Sequence, residues 1–187
     1  PTHMVSRQIY EGLVTPGINM EVLPQLAESW TTTADDTWIF NIRRGVTFHD
    51  GSALTAGDVA FSINRAKTAP SDMVDLIKSV KSARAIDDHT VEVKTDGPNP
   101  ILLNQLTQIF VMSEAWSKAN GCEASYNWDA GETSYCASHA NGTGPFEITF
   151  REQDVRTVFE KNNNWWGNHY KHNIDKIELL PIKNDAT

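Results

Sequence analysis

The sequence predicts a mixed α/β fold of the α+β kind, in which short strands dominate and a few capped helices cover them. Two patterns carry that expectation. Apolar and polar residues alternate with period two around Trp38, Phe40 and Ile42, around Val91 and Val93, and around Phe146, Ile148 and Phe150, as half-buried strands require. Between these runs stand helix-start signals: Thr55 with Asp58 three residues on, Asn99 followed by Pro100, and Ser113. With 187 residues, 40% hydrophobic and 21% charged, the chain has apolar material for one ordinary core or two small subdomains.

Taken in order, residues 2–11 read as a short helix with Val5 and Ile9 on one face, and Gly12 is expected to end it in a left-handed conformation. Pro16, Gly17 and Pro24 predict a loop. A strand over 29–33 then turns at Asp35-Asp36 into the strand of Trp38. Val46 and Phe48 form a short extended piece before the turn His49-Asp50-Gly51. The capping box at Thr55 opens a helix whose buried stripe is Val59, Ile63 and Ala66. Strands follow over 79–86 and 90–95, then a helix over 101–106, an apolar strand over 109–112, and a helix from Ser113 that Gly121 stops. Past a loop rich in Gly, Ser and Asn, strands are expected over 146–150, 155–161 and 174–182.

The net charge of −8, from 16 Lys+Arg against 24 Asp+Glu, excludes a general nucleic-acid binder, which would present a cationic face. No apolar run approaches the ~18 residues of a membrane span, so the chain is not expected to cross a bilayer. Cys122 and Cys136 have no neighbours at metal-ligand spacing. Paired, they would close a loop of about 15 residues, worth roughly 3 kcal/mol on the chain-entropy account, as an oxidising compartment permits. The alternative is two half-buried thiols.

The motifs of catalysis are absent: no nucleophile elbow, phosphate loop or dinucleotide fingerprint occurs. Gly142-Thr143-Gly144-Pro145 leads into a strand rather than a helix, so it lacks the dipole that would hold an anion. His169 and His172 read as part of a solvated polar loop, and His49-Asp50 as a tight turn rather than an acid–base pair. Trp30, Trp38 and Trp116 read as core, and Trp165-Trp166 as a cover over the end of a sheet. Neither cofactor nor metal is implied.

The order of several segments says more than any one of them. Arg7-Gln8-Ile9-Tyr10-Glu11-Gly12-Leu13 precedes Leu23-Pro24-Gln25-Leu26-Ala27-Glu28-Ser29-Trp30, then Phe48-His49-Asp50-Gly51 and Leu54-Thr55-Ala56-Gly57-Asp58-Val59. Gly142-Thr143-Gly144-Pro145-Phe146 and Asn162-Asn163-Asn164-Trp165-Trp166-Gly167 come later. This series resembles the oligopeptide, dipeptide and nickel class of extracellular solute-binding proteins that feed ABC importers, and the resemblance spans nearly the whole chain.

The resemblance implies a non-enzymatic, periplasmic or extracellular protein of two lobes that closes on a small solute, most often a short peptide, and delivers it to a membrane permease. It also implies an N-terminal fragment: most of the first lobe, with 1–141 as its smaller subdomain and 142–187 as the hinge-side, strand-rich part. In peptide-binding relatives the segment before the first helix lines the cleft, which nominates Thr2 and His3, with Gln108 and Phe110 as further candidates. The cysteine loop is not a family-wide feature, so its disulfide rests on composition alone. A competing reading, a secreted carbohydrate-active or peptidase domain using the aromatics as platforms, requires a carboxylate pair or a nucleophile with its base.

Overall fold

A computed structural model of the chain describes residues 2–127, 129–153, 155–167 and 173–181. Helix α1 (Thr2–Ile9) opens it. The predicted loop at Pro16 and Pro24 is instead a small hairpin, β1 (Val14–Pro16) against β2 (Val22–Pro24), with prolines at the strand ends. Strands of three residues are too short to display a period, which is why alternation did not disclose them.

The main sheet has the order β3-β4-β6-β5 and is antiparallel throughout: β3 (Ala27–Ala34), β4 (Thr37–Ile42), β5 (Val80–Asp87) and β6 (Thr90–Thr95). Its register sets Trp30 opposite Phe40, Phe40 opposite Val91, and Trp38 opposite Val93, so one face collects the large apolar side chains. Helix α2 (Ala56–Ala66) lays Val59, Ile63 and Ala66 into the same core as Leu26, Phe40 and Phe48. The Val, Ile, Leu and Phe side chains among these each contribute roughly 1.5–3 kcal/mol relative to exposure, and the single methyl of Ala66 contributes less.

The capping box at α2 forms as the sequence predicts. Thr55 N donates to Asp58 Oδ2 at 2.9 Å, and Asp58 N donates to Thr55 Oγ1 at 3.4 Å. Asp58 does more than cap, because its Oδ1 accepts Glu114 N at 2.8 Å and so ties α2 to helix α4 (Glu114–Ala119). Ser62 Oγ accepts Met112 N at 2.8 Å just above it. Ser113 caps α4, and Gly121 (φ 65°) follows the end of that helix. Asn99 takes up a backbone N–H as expected, Ile101 N at 3.2 Å, although helix α3 begins one residue later (Leu102–Leu106).

A second sheet, β7 (Phe146–Glu152), β8 (Arg156–Lys161) and β9 (Lys176–Leu179), lies in that order. It builds a smaller cluster of Phe146, Phe159 and Ile9, so α1 packs on this sheet although it stands at the other end of the sequence. The alternation of β7 breaks at a register shift between Ile148 and Phe150; Phe150 is 42% exposed, with the Arg156 guanidinium 4.9 Å from its ring centroid. The strand expected over 174–182 is shorter, β9 alone, and only residue 182 of that range lies outside the described residues. Among the described residues, no helix is long and apolar enough to cross a membrane.

Candidate functional site

Where α1 ends, the chain passes through Tyr10 and Glu11 into Gly12. Gly12 is not in the left-handed region; it is small because backbone crowds it. A Cβ there would lie 3.0 Å from Ile109 O and 3.2 Å from Val14 O. That close approach lets 109–111 run alongside: Gly12 bridges Phe110, and Val111 N donates to Glu11 O at 2.9 Å. The predicted strand over 109–112 is therefore a single bridge, because its neighbour turns away into β1 after Gly12.

Glu11 itself is 2% exposed. Its Oε2 accepts Trp166 Nε1–H at 2.7 Å and the Thr143 hydroxyl at 2.9 Å; its Oε1 accepts Trp165 Nε1–H at 3.3 Å and Gln25 Nε2–H at 3.4 Å. Among the described residues no cation pairs with it. Burial raises the carboxyl pKa above its ordinary 4.5, and the hydrogen bonds from the two indoles, Thr143 and Gln25 oppose that rise. The tryptophans expected to cover a sheet end serve as paired donors to one carboxylate.

The Gly-Thr-Gly loop closes the same junction from the other side. A Cβ on Gly142 would meet Ile9 O at 2.0 Å, and one on Gly144 would meet Gln8 O at 2.7 Å. Gly144 N donates to Ile9 O at 2.8 Å, and the loop leads into β7. His49 and Asp50 zip along this loop. His49 N donates to Gly142 O at 2.9 Å, while its ring lies between Gly144 O (Nε2, 3.1 Å) and Gly142 N (Nδ1, 3.3 Å). Asp50 exchanges two bonds with Asn141, at 3.1 and 2.8 Å. The ring contacts fit a neutral imidazole that donates from Nε2 and accepts at Nδ1; burial favours that form by lowering the His49 pKa. With both ring nitrogens engaged by backbone, this pair joins two segments.

The cleft candidates fall beside the junction. Gln108 and Phe110 come together with a residue the sequence reading did not nominate, Arg7. Its Nη2 donates to Gln108 Oε1 at 3.3 Å, and its guanidinium carbon stands 5.8 Å from the Phe110 ring centroid. Thr2 and His3 open α1, and their side chains lie outside the described residues, as do His169 and His172. The spacing from Arg7 to Glu11, with one side chain exposed and the other buried, was a signal available in the sequence only once the helix end was fixed.

Cys122 and Cys136 form a disulfide, in agreement with the composition argument. Beside it, Tyr135 stacks on His139 with centroids 3.8 Å apart and leans on Trp116 at 6.0 Å. Arg65 anchors the loop by donating to Cys122 O at 3.1 Å and Ala124 O at 3.2 Å. Among the described residues no group of three His, Cys, Asp or Glu side chains could hold a metal ion.

A helix-backed antiparallel sheet beside a second small sheet matches part of the periplasmic binding protein fold of the oligopeptide class. The chain belongs to the bacterial extracellular solute-binding proteins, family 5, whose model matches residues 21–187. It is 26% identical to the periplasmic murein peptide-binding protein MppA of Escherichia coli, over 100% of this chain and 36% of that protein. It is 28% identical to the dipeptide-binding protein of the same organism, over 89% of this chain and 34% of the relative. Among solved structures it resembles DppA of Helicobacter pylori in complex with the peptide STSA, with a TM-score of 0.79, 25% identity, and coverage of 99% of this chain and 39% of that one. The chain therefore spans about a third of the length of the relatives it matches.

Proposed function

We propose that this chain is most of the first lobe of a two-lobed solute-capture protein that closes on a short peptide and hands it to an ABC permease outside the cytoplasmic membrane. The observation that carries this reading is the match along nearly the whole chain to relatives named for peptide binding. In this reading 1–141 forms the smaller subdomain and 142–187 the hinge-side part, and the Glu11 junction holds the two in fixed relation. Thr2, His3, Gln108 and Phe110 form one wall of the cleft. Closure follows from differential affinity: a peptide that touches both lobes favours the closed state by the free energy of the contacts made only there. One wall alone lacks those contacts, so this lobe by itself binds peptide weakly.

Native mass spectrometry of the full-length protein beside the 187-residue chain tests the reading. A peptide mass carried by the full-length protein and absent from the single lobe supports it. Tight stoichiometric binding by the lobe would overturn the two-wall account, and a co-purified non-peptide solute would overturn the assignment of ligand class.

A further inference from the structure

We propose that Arg7 is the residue through which this lobe reads a carboxylate on its solute; the inference rests on the peptide reading above and names the group that the peptide must present. Of the six other arginines, Arg43, Arg65 and Arg84 are engaged by carboxylates or carbonyls, whereas Arg44, Arg151 and Arg156, like Arg7, form no ion pair among the described residues; what sets Arg7 apart is its place beside Gln108 and Phe110. Arg43 pairs with Glu28 at 3.5 Å, and Arg84 pairs with Glu92 at 2.7 Å. Arg65 donates to two backbone carbonyls, and the Arg156 guanidinium stands over an aromatic ring. Arg7 is exposed, and among the described residues no carboxylate pairs with it, in a chain with 24 acidic side chains.

Its direction is nevertheless fixed. The Thr107 hydroxyl donates to Asn104 O at 2.7 Å, and Gln108 Nε2 donates to Thr107 Oγ1 at 3.1 Å. This orients the Gln108 amide so that its Oε1 faces Arg7 Nη2 at 3.3 Å. The Phe110 ring flanks the guanidinium, and the bridge from Phe110 to Gly12 holds that ring in register with the end of α1. A guanidinium has five N–H donors in a planar fork, and one neutral amide oxygen engages only part of it. A fork positioned by neutral groups, beside an aromatic ring and on the face of the cleft candidates, is suited to bidentate capture of a carboxylate. The carboxylate could be the C-terminus of a peptide or an acidic side chain; the chemistry at Arg7 is the same.

The test uses the full-length protein and calorimetric titration with alanine peptides of two to five residues, each as free acid and as C-terminal amide. The free acids should bind about tenfold more tightly than the amides. Arg7→Gln should remove that preference by weakening the acids and leaving the amides nearly unchanged, and Arg7→Lys should restore only part of it, because the charge returns without the fork. A third arm, amidated peptides with one glutamate, separates the sources: recovery of tight binding that is lost in Arg7→Gln assigns the contact to a side-chain carboxylate. Equal binding of acids and amides by the native protein, with no gain from glutamate, would overturn the assignment and leave the peptide reading standing. So would a full preference in Arg7→Gln. No binding of any of these peptides would overturn both.

Discussion

Arg7 and Glu11 lie four residues apart at the end of one helix, and their surroundings are opposite. Glu11 is buried and has a donor on every side: two indoles, a hydroxyl and an amide. Arg7 is exposed and meets one amide oxygen and an aromatic ring. The first is complete within the chain and holds two sheets together. The second is oriented but only partly engaged, as a contact to something outside the chain would be. The comparison separates charge used for architecture from charge held ready for a ligand, and it predicts very different responses to substitution.

The largest effect should come from Gly142→Ala. Its Cβ would meet backbone, Ile9 O at 2.0 Å, which cannot swing aside as a side chain would. We expect a loss of about 3 kcal/mol, the upper end of ordinary overpacking, read as a shift of the denaturation midpoint in urea. A change below about 1 kcal/mol would mean that the two segments separate without cost.

Mutating Cys122 and Cys136 together to serine should rank next, with a predicted loss of up to about 3 kcal/mol on the loop-entropy account. Protease sensitivity between the two positions should rise with it. Unchanged cleavage would show that the contacts of Arg65 and Tyr135 suffice to hold the loop.

Glu11→Gln comes third, at about 2 kcal/mol, because an amide offers one acceptor oxygen where the carboxylate serves donors with two. Its pH dependence sharpens the point. The folded-state pKa of Glu11 is raised above 4.5, so in the window between 4.5 and the folded value the folded chain retains a proton there that the unfolded chain has released. Stability from this group is therefore fully present below 4.5 and is lost as pH rises from there through the folded value. His49 acts in the opposite sense. Its folded pKa lies below 6.5, so stability is lost as pH falls from 6.5 towards that value, when the unfolded imidazole takes up a proton and the folded one resists. Urea midpoints across this range should lose the Glu11 component in Glu11→Gln and keep the His49 component; a profile identical to the native one would refute the burial of Glu11.

Arg7→Gln should have the smallest effect on folding, within about 0.5 kcal/mol, since the side chain is exposed and its neighbours are neutral. A cost as large as that of Glu11→Gln would make Arg7 part of the architecture and dissolve the contrast.

Much of the fold was legible. Thr55 and Asp58 announced α2, the alternation at Trp38 and Val91 announced the main sheet, and two cysteines in a polar loop announced their bridge. What escaped were contacts between distant segments. Glu11 looked like the polar end of a helix, because nothing local indicates that Thr143, Trp165 and Trp166 converge on it. Gly12 looked like a helix stop, since a glycine required by crowding and one required by φ read alike. Of the candidate site, Gln108 and Phe110 were nominated from the sequence and stand as proposals, whereas Arg7 emerged only when the bridge at Gly12 set it beside them.

The placement of Trp165 and Trp166 has an optical consequence. Two indoles whose N–H groups point at one ionisable group experience a local electric field that changes when that group gains a proton. Their emission should shift in wavelength as Glu11 titrates, so the protein contains its own reporter of the state of the joint, readable in a cuvette without a label.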